Sequence, residues 1–291
     1  MKSLSIGFWL DIPVPTAHLR MLTQGPDCAL NLKTVFLAQR GNPLAEPSLK
    51  NSIPLSSTAG NTDPALSVVI PALAEGPNLE VMLPQLKGVL DGMAVPYEIL
   101  VVTLRPDTLT MESARLTDAR VIEQVERGYG GALLAGFANS RGHYIVTMDA
   151  DLSHPPDFVT GLWAHRMQSD VTVASRYCRG GGAIMPRSRY ILSRILNTFF
   201  RRGLGLPIHD LSSGFRIYRT DAIRSLCLHS RDFDILIEIM VKSHLRGFRV
   251  AEIPFIYQPR IHGTSHARLF KFAIAYIRTF RRLRQESRRL S

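Results

Sequence analysis

The sequence predicts an α/β fold, Rossmann-like, with a mainly parallel sheet and helices on both faces. Two observations carry this. Short runs rich in β-branched and other apolar residues recur from Leu66 onward, and segments with apolar residues at three-to-four spacing alternate with them. Leu66 to Pro71 is the first strand. Asn78 to Leu90 follows, apolar at 79, 82, 83, 86, 89 and 90, a helical stripe that Pro84 interrupts. Tyr97 to Thr103 is a second buried strand and Arg120 to Val125 a third. Gly131 to Asn139 is helical, Tyr144 to Met148 is a fourth strand, and Val171 to Ser175 a fifth. This βαβα rhythm builds a mainly parallel sheet. In such sheets ligands bind beyond the carboxyl ends of the strands.

The flanks differ from this core. Residues 1–64 carry Pro13, Pro15, Pro26, Pro43, Pro47, Pro54 and Pro64, and a Ser/Asn/Thr/Gly-rich stretch from Asn51 to Asp63. They are expected to form a poorly ordered extension ending in a linker. Residues 65–267 then make the folded domain, and 268–291 a basic tail. A chain of 291 residues with 45% hydrophobic content suits one large domain with appendages. Thirty-five basic residues against twenty-four acidic ones leave a net charge of +11. Such a chain is drawn to polyanions: nucleic acid, phosphorylated substrates or an anionic membrane surface. No nucleic-acid motif accompanies the basic residues, so no nucleic-acid partner is expected. No stretch reaches the roughly 18 uninterrupted apolar residues of a membrane span. The chain is expected to lie on a membrane rather than cross it. Cys28, Cys178 and Cys227 are far apart, with neither metal-ligand spacing nor a disulfide framework, so a reduced, cytosolic compartment is expected.

The strongest chemical signal is Asp149-Ala150-Asp151 at the end of the fourth strand. Two carboxylates two residues apart on extended backbone point to the same side. At a strand's carboxyl end they make a hard oxygen site for Mg2+ or Mn2+, whose remaining positions go to water and substrate phosphates. The bland alternative is a solvated turn.

Asp149-Ala150-Asp151-Leu152-Ser153-His154-Pro155-Pro156 resembles the signature of dolichol-phosphate mannosyltransferases and related polyprenyl-phosphate transferases of glycosyltransferase family 2. The resemblance spans about Leu66 to Leu269. It includes Ser175-Arg176-Tyr177 with a Gly-rich loop after it, Asp210-Leu211-Ser212-Ser213-Gly214-Phe215-Arg216, and Arg260 ahead of Gly263 and Ser265. It implies a GT-A fold, a nucleotide-sugar donor, a divalent metal on Asp149 and Asp151, and inversion at the sugar. It also implies that Arg176, Arg189, Ser193 and Arg260 grip the phosphate of a lipid acceptor. Guanidinium forks bind phosphate oxygens bidentately and a serine adds a neutral donor. Arg189 and Ser193 share a helix face at four-residue spacing. The alternative for Arg176 and Arg260 is a structural ion pair, and for Arg189 simple exposure. Asp151, Arg176 and Arg260 are the candidate catalytic residues. Pro71, Glu75, Asp149, Arg189, Ser193, Asp210 and Ser265 are the candidate substrate-binding ones.

A phosphate acceptor explains why no catalytic base is nominated. A sugar hydroxyl needs one to become a nucleophile. A phosphomonoester, with a second pKa of about 6, is already mostly anionic at neutral pH. Glu238, in an apolar helical run, has a structural and a catalytic reading side by side.

Two motifs depart from the family. Its first strand ends Pro-x-Tyr-Asn-Glu, where this chain reads Pro71-Ala72-Leu73-Ala74-Glu75. Its second runs into Asp-Asp-Gly-Ser-x-Asp, where this chain reads Thr103-Leu104-Arg105-Pro106-Asp107. The missing acidic pair helps to recognise the base in relatives, so selectivity between GDP and UDP is expected to be poor. The Gly-rich stretch Arg127 to Gly131 either lets backbone approach the nucleotide or is a plain turn before a helix.

Finally, Arg268 to Ser291 reads as one amphipathic helix with Leu269, Phe272, Tyr276, Phe280 and Leu283 on one side. Arginines dominate its later half, which suits an anionic bilayer; the alternative is a helix packed on the domain. The favoured expectation is a peripheral enzyme on the cytosolic face of a membrane, moving mannose from GDP-mannose onto a polyprenyl phosphate. The alternatives are UDP-glucose as donor, a non-lipid acceptor, or a catalytically weakened scaffold subunit. A membrane partner subunit is conceivable.

Overall fold

A computed structural model describes residues 63–259 and 278–286. The extension expected over residues 1–64 lies almost wholly outside the described residues, as does most of the tail.

The strands in chain order are β1 (Leu66–Pro71), β2 (Tyr97–Thr103), β3 (Arg120–Glu123), β4 (Tyr144–Thr147), β5 (Val171–Ser175), β6 (Gly182–Ala183), β7 (Arg216–Arg219), β8 (Val250–Pro254) and β9 (Ile256–Tyr257). Seven form one sheet in the order β3-β2-β1-β4-β7-β5-β8. Strands β1 to β4 pair in parallel, β7 runs antiparallel to both β4 and β5, and β8 is parallel to β5. The sheet is therefore mainly parallel, with one reversed strand in its middle. A separate ribbon pairs β6 with β9 in parallel. All five strands read from the sequence are present. The third stops at Glu123 rather than Val125, because Gln124 turns the chain: its side-chain amide donates to Glu126 O at 2.7 Å and Gly128 O at 3.1 Å. The fourth stops at Thr147, one residue early.

The helices are α1 (Gly76–Gly92), α2 (Thr108–Leu116), α3 (Tyr129–Asn139), α4 (Phe158–Ala164), α5 (Arg187–Leu204), α6 (Thr220–Arg224) and α7 (Ile235–Leu245); a last helix, α8, covers 278–286. Residues of β1 alternate between two cores, as the two-residue period of a strand requires. Val68 and Ile70 join Leu79, Met82, Leu83, Leu86 and Leu90 of α1 on one face. Val69 joins Leu133 and Phe137 of α3, with Phe200 and Leu204 of α5, on the other. Each such buried leucine contributes roughly 1.5–3 kcal/mol relative to exposure. Pro84 does not break α1. It faces solvent, as does Glu80, whose carbonyl would have been its partner, so water can replace the missing bond.

Helix α8 is where the tail's alternatives part. Leu283 is fully buried in the second core, and the Phe280 ring lies 5.2 Å from Phe199 and 5.6 Å from Phe200. Thr279 Oγ1 donates to Asp234 Oδ2 at 2.6 Å, and Arg282 donates to Ser230 Oγ at 2.9 Å. This part of the tail packs on the domain. Leu269, Phe272 and Tyr276 lie outside the described residues. Cys178 is a free thiol.

Candidate active site

The topology collects the candidate residues at one edge. Strands β1, β2, β4 and β5 share a direction, so Pro71, Thr103, Asp149 and Arg176 all leave the sheet at its carboxyl end. Strand β7 is reversed, so the loop Asp210–Phe215 that feeds it arrives at the same edge. Thr147 Oγ1 fastens the two chains there, donating to Gly214 O at 2.6 Å.

Asp149 and Asp151 are each held by their own partners. Asp149 Oδ1 accepts from Tyr129 Oη at 2.9 Å, and its backbone N–H donates to His154 Nδ1 at 2.8 Å. The His154 ring stacks on Phe215 with centroids 4.7 Å apart, and its Nε2 lies 3.8 Å from Asp149 Oδ2. Asp151, 5% exposed, accepts at Oδ1 from Ser153 N at 3.1 Å and Ser153 Oγ at 2.5 Å. That tight turn puts Leu152 at φ 62°, an uncommon conformation for a leucine. Burial, and then the Asp149 charge, raise the Tyr129 pKa well above its usual value, so the phenol stays a donor. Gly214 closes the site: a Cβ there would stand 2.4 Å from Tyr129 Oη and 3.1 Å from Asp149 Oδ1. These oxygens suit a hard divalent cation. Among the described residues no three His, Cys, Asp or Glu side chains form a cage. Two carboxylates with water and substrate phosphate for the rest is the way Mg2+ is commonly bound.

Arg176 and Asp210 form a bidentate pair. Arg176 Nε donates to Asp210 Oδ2 at 2.7 Å and Nη2 to Oδ1 at 2.8 Å. Asp210, fully buried, also accepts from the backbone N–H groups of Arg176, Ser212 and Ser213. Burial would raise its pKa, but Arg176 outweighs this and holds the carboxyl below its usual range. The structural ion pair weighed for Arg176 is thus present, with Asp210 as its partner. Fully buried, Asp210 shapes the loop and aims Arg176. Ser193 on α5 accepts from Tyr177 Oη at 2.7 Å, while Arg189 on the same helix is exposed. Arg260 and Ser265 lie outside the described residues.

On the nucleotide side, Pro71 is half-buried at the end of β1. Glu75 occupies the N-cap position of α1, where Asn78 Nδ2 donates to its Oε2 at 2.5 Å. Ala74 sits at φ 55°, left-handed backbone that the asparagine of the family motif tolerates better than alanine. Asp107 caps α2, accepting from Thr110 N at 2.7 Å. The Gly-rich stretch is a turn packed by protein: a Cβ on Gly128, at φ 92°, would meet Arg231 O at 2.3 Å, and one on Gly130 the Ser230 and Arg231 backbone at 2.7 Å. Glu238 has a structural place. It accepts from Ser230 N at 2.7 Å and pairs with Lys242 at 2.8 Å and Arg282 at 3.3 Å, joining α7 to α8.

Tyr129 and Arg216 were not singled out as site residues. Tyr129 directly follows Gly128, a position with no chemical signal of its own. Arg216, fully buried, donates to Leu211 O at 2.7 Å and Leu236 O at 3.0 Å, pinning the Asp210 loop to the start of α7.

Comparison with known proteins gives the family and the fold. Residues 67–227 match the model of the family described as glycosyl transferase family 2. The chain is 32% identical over 229 residues to the dolichol-phosphate mannosyltransferase of Pyrococcus furiosus, covering 75% of this chain and 63% of that one. It is 36% identical over 146 residues to the polyprenol monophosphomannose synthase of Mycolicibacterium smegmatis, covering 47% and 55%. The chain thus spans less than two thirds of the length of these curated relatives. Among solved structures, the glucosyl-3-phosphoglycerate synthase of Mycobacterium tuberculosis, in complex with Mn2+, UDP and glucosyl-3-phosphoglycerate, superposes with a TM-score of 0.60 at 20% identity, covering 76% of this chain and 80% of that one. That likeness establishes the GT-A-like fold.

Proposed function

We propose a reaction for a chain that belongs to glycosyl transferase family 2: it moves a hexose from a nucleotide sugar onto a polyprenyl phosphate, with inversion. The observation that carries this reading is the meeting of two charged pairs at one sheet edge, Asp149 with Asp151 and Arg176 with Asp210. One pair suits a donor diphosphate with its cation, the other an acceptor phosphate. The names of the relatives, which act on dolichol and polyprenol phosphates, support the lipid acceptor.

In this reading Asp149 and Asp151 hold Mg2+ or Mn2+, as the Mn2+ complex of the structural neighbour suggests. When bound, the ion neutralises charge building on the departing nucleoside diphosphate. Tyr129 and Ser153 keep the two carboxylates aimed. Pro71 and Glu75 serve the donor side, and Ser265 is a further substrate-binding residue. Arg176, aimed by Asp210, acts with Arg189, Ser193 and Arg260 to hold the acceptor phosphate in line with the sugar. A phosphate oxygen forms the new bond to C1 as the bond from C1 to the diphosphate breaks. The attacking oxygen is already anionic, and the oxygen that leaves C1 takes the bonding pair with it as part of the nucleoside diphosphate anion, so no side chain has to move a proton.

Mannose from GDP-mannose is the favoured donor, by likeness to the mannose-transferring relatives. A second reading, UDP-glucose as donor, draws on Thr103 and Leu104 standing where relatives carry base-reading acids. The protein would work as a peripheral enzyme on the cytosolic face of a membrane, alone or with a membrane partner subunit. No helix among the described residues is long and apolar enough to cross a membrane. The test supplies labelled GDP-mannose and UDP-glucose separately with polyprenyl phosphate and counts label in the organic phase. More label from GDP-mannose than from UDP-glucose is the expected result. Label from UDP-glucose alone selects the second reading, and label from neither overturns both.

A further inference from the structure

The segment His229 to Asp234, between α6 and α7, touches the proposed cation site on one side and helix α8 on the other. Towards the site its contact is backbone to backbone. Arg231 O accepts from Gly131 N at 3.2 Å, in the first turn of α3. A Cβ on Gly130 would stand 2.7 Å from Ser230 O and from the Arg231 carbonyl carbon, so only glycine lets the two chains come so close. Beside this contact the Phe233 ring stacks on Tyr129, with centroids 4.4 Å apart and planes 14° from parallel. Tyr129 Oη in turn donates to Asp149 Oδ1 at 2.9 Å. Where this segment lies therefore sets where the Tyr129 ring lies, and with it the direction in which Asp149 points.

Helix α8 holds the same segment from the other side. Thr279 Oγ1 donates to Asp234 Oδ2 at 2.6 Å. Among the described residues it is the one hydrogen-bond donor to that buried carboxylate. Arg282, three residues on and so on the same helix face, donates from Nη2 to Ser230 Oγ at 2.9 Å and lies 3.3 Å from Glu238 Oε1. Glu238 itself accepts from the backbone N–H groups of His229 at 3.0 Å and Ser230 at 2.7 Å. Arg282 thus braces both the segment and the carboxylate that holds it. Seating α8 on the domain needs only Phe280 and Leu283. Thr279 and Arg282 add directed polar contacts, which fix geometry as apolar packing does not, and both are aimed at the residues that carry Phe233.

We propose that Thr279 and Arg282 are positioning residues for the cation site: through Asp234, Ser230 and Phe233 they fix the Tyr129 ring, and Tyr129 fixes Asp149. This rests on the reading of Asp149 and Asp151 as cation ligands and deepens it, by making the C-terminal helix part of the site's support. With two protein carboxylates on the ion, a change in the aim of one is felt in affinity. The coupling is reciprocal, so a cation with its nucleotide on Asp149 also steadies α8.

The test is a mutant cycle on the full chain, read by calorimetric titration of GDP with and without Mn2+. Thr279→Val/Arg282→Met keeps the apolar bulk of both side chains and removes their hydrogen bonds. It should weaken Mn2+-dependent binding by about three- to tenfold, at or below the low end of what an outer support of a metal ligand is worth. In a Tyr129→Phe background the same two changes should cost less than about twofold more, because the bond they act through is already gone. Thr279→Ser/Arg282→Lys, which keeps the hydroxyl and the charge, should recover most of the wild-type affinity. Amide hydrogen exchange read by mass spectrometry needs no metal. In Thr279→Val/Arg282→Met it should quicken at residues 229–234 and also at 128–133. In wild-type protein Mn2+ with GDP should slow it at 278–286. Wild-type affinity in the folded variant overturns the proposal. So does a full further loss in the Tyr129→Phe background, or faster exchange at 229–234 alone. If wild-type protein shows no Mn2+-dependent binding while exchange in the variant quickens in both segments, the link from α8 to Tyr129 stands and the assignment of the cation to Asp149 falls. Should the double variant unfold, Arg282→Gln alone leaves Thr279 and Leu283 in place and is read in the same way.

Discussion

Replacing Asp210 by asparagine removes one charge from a pair in which the carboxylate is fully buried and the Arg176 side chain is 11% exposed. The guanidinium stays in place, with its bidentate partner gone and little water to replace it. Breaking a buried pair from one side costs about 3–5 kcal/mol. The small exposure of Arg176 and the amide left behind put the expected loss near the lower end, about 3 kcal/mol. Urea denaturation followed by circular dichroism reads this as a fall in the midpoint at unchanged slope. Adding Arg176→Met removes the stranded charge and should restore at least half of the loss, since the thioether fits between the Tyr177 and Tyr257 rings that now flank the guanidinium. The double variant then separates two roles. With stability and donor binding recovered, transfer to lipid should remain abolished if Arg176 holds the acceptor phosphate. A loss under about 1 kcal/mol in the single variant, or a double variant no more stable than it, would refute the assignment of Asp210 as the group that holds Arg176.

Three further outcomes follow from other contacts. Tyr129→Phe deletes the hydrogen bond that aims Asp149 and should weaken Mn2+-dependent nucleotide binding roughly tenfold with little change in stability; unchanged affinity by calorimetry contradicts that role. Ala74→Gly relieves left-handed backbone at φ 55° and should stabilise the protein by about 1 kcal/mol, so a lower melting temperature would count against it. Glu238 is buried, but Lys242 and Arg282 hold its pKa down to about 2 from 4.5. Its folded pKa lies below its unfolded one, so its contribution is complete above about pH 4.5 and lost as pH falls through about 2. The melting-temperature gap between wild type and Glu238→Gln should therefore close between those pH values, and a constant gap would remove Glu238 from that role.

What was legible in the sequence was the local part. Strand β1 and helix α1 declare themselves because Val68, Ile70 and the stripe from Leu79 to Leu90 follow their periods, with Pro84 the one break in the helix. Asp149 and Asp151 were legible because a strand end and a two-residue spacing suffice to place them. Strand β7 was not: Arg-Ile-Tyr-Arg is four residues long, charged at both ends, and its place between β4 and β5 is a matter of long-range pairing. The Arg176–Asp210 pair depends on that reversal, across 34 residues, so no local pattern could have shown it. Helix α8 had a clear apolar stripe, yet periodicity does not say what the stripe packs against. The same holds for α5, where Arg189 and Ser193 share a face by their spacing, which does not say what else that helix packs against.

The most direct test of the metal site is calorimetric titration of GDP and of UDP into wild-type protein and Asp151→Ala, with and without Mn2+. Wild-type protein should bind only when Mn2+ is present and distinguish poorly between the two bases. The variant, with unchanged circular dichroism, should lose the Mn2+-dependent binding. Equal affinity in the folded variant would contradict the assignment of Asp149 and Asp151 as the site of the cation.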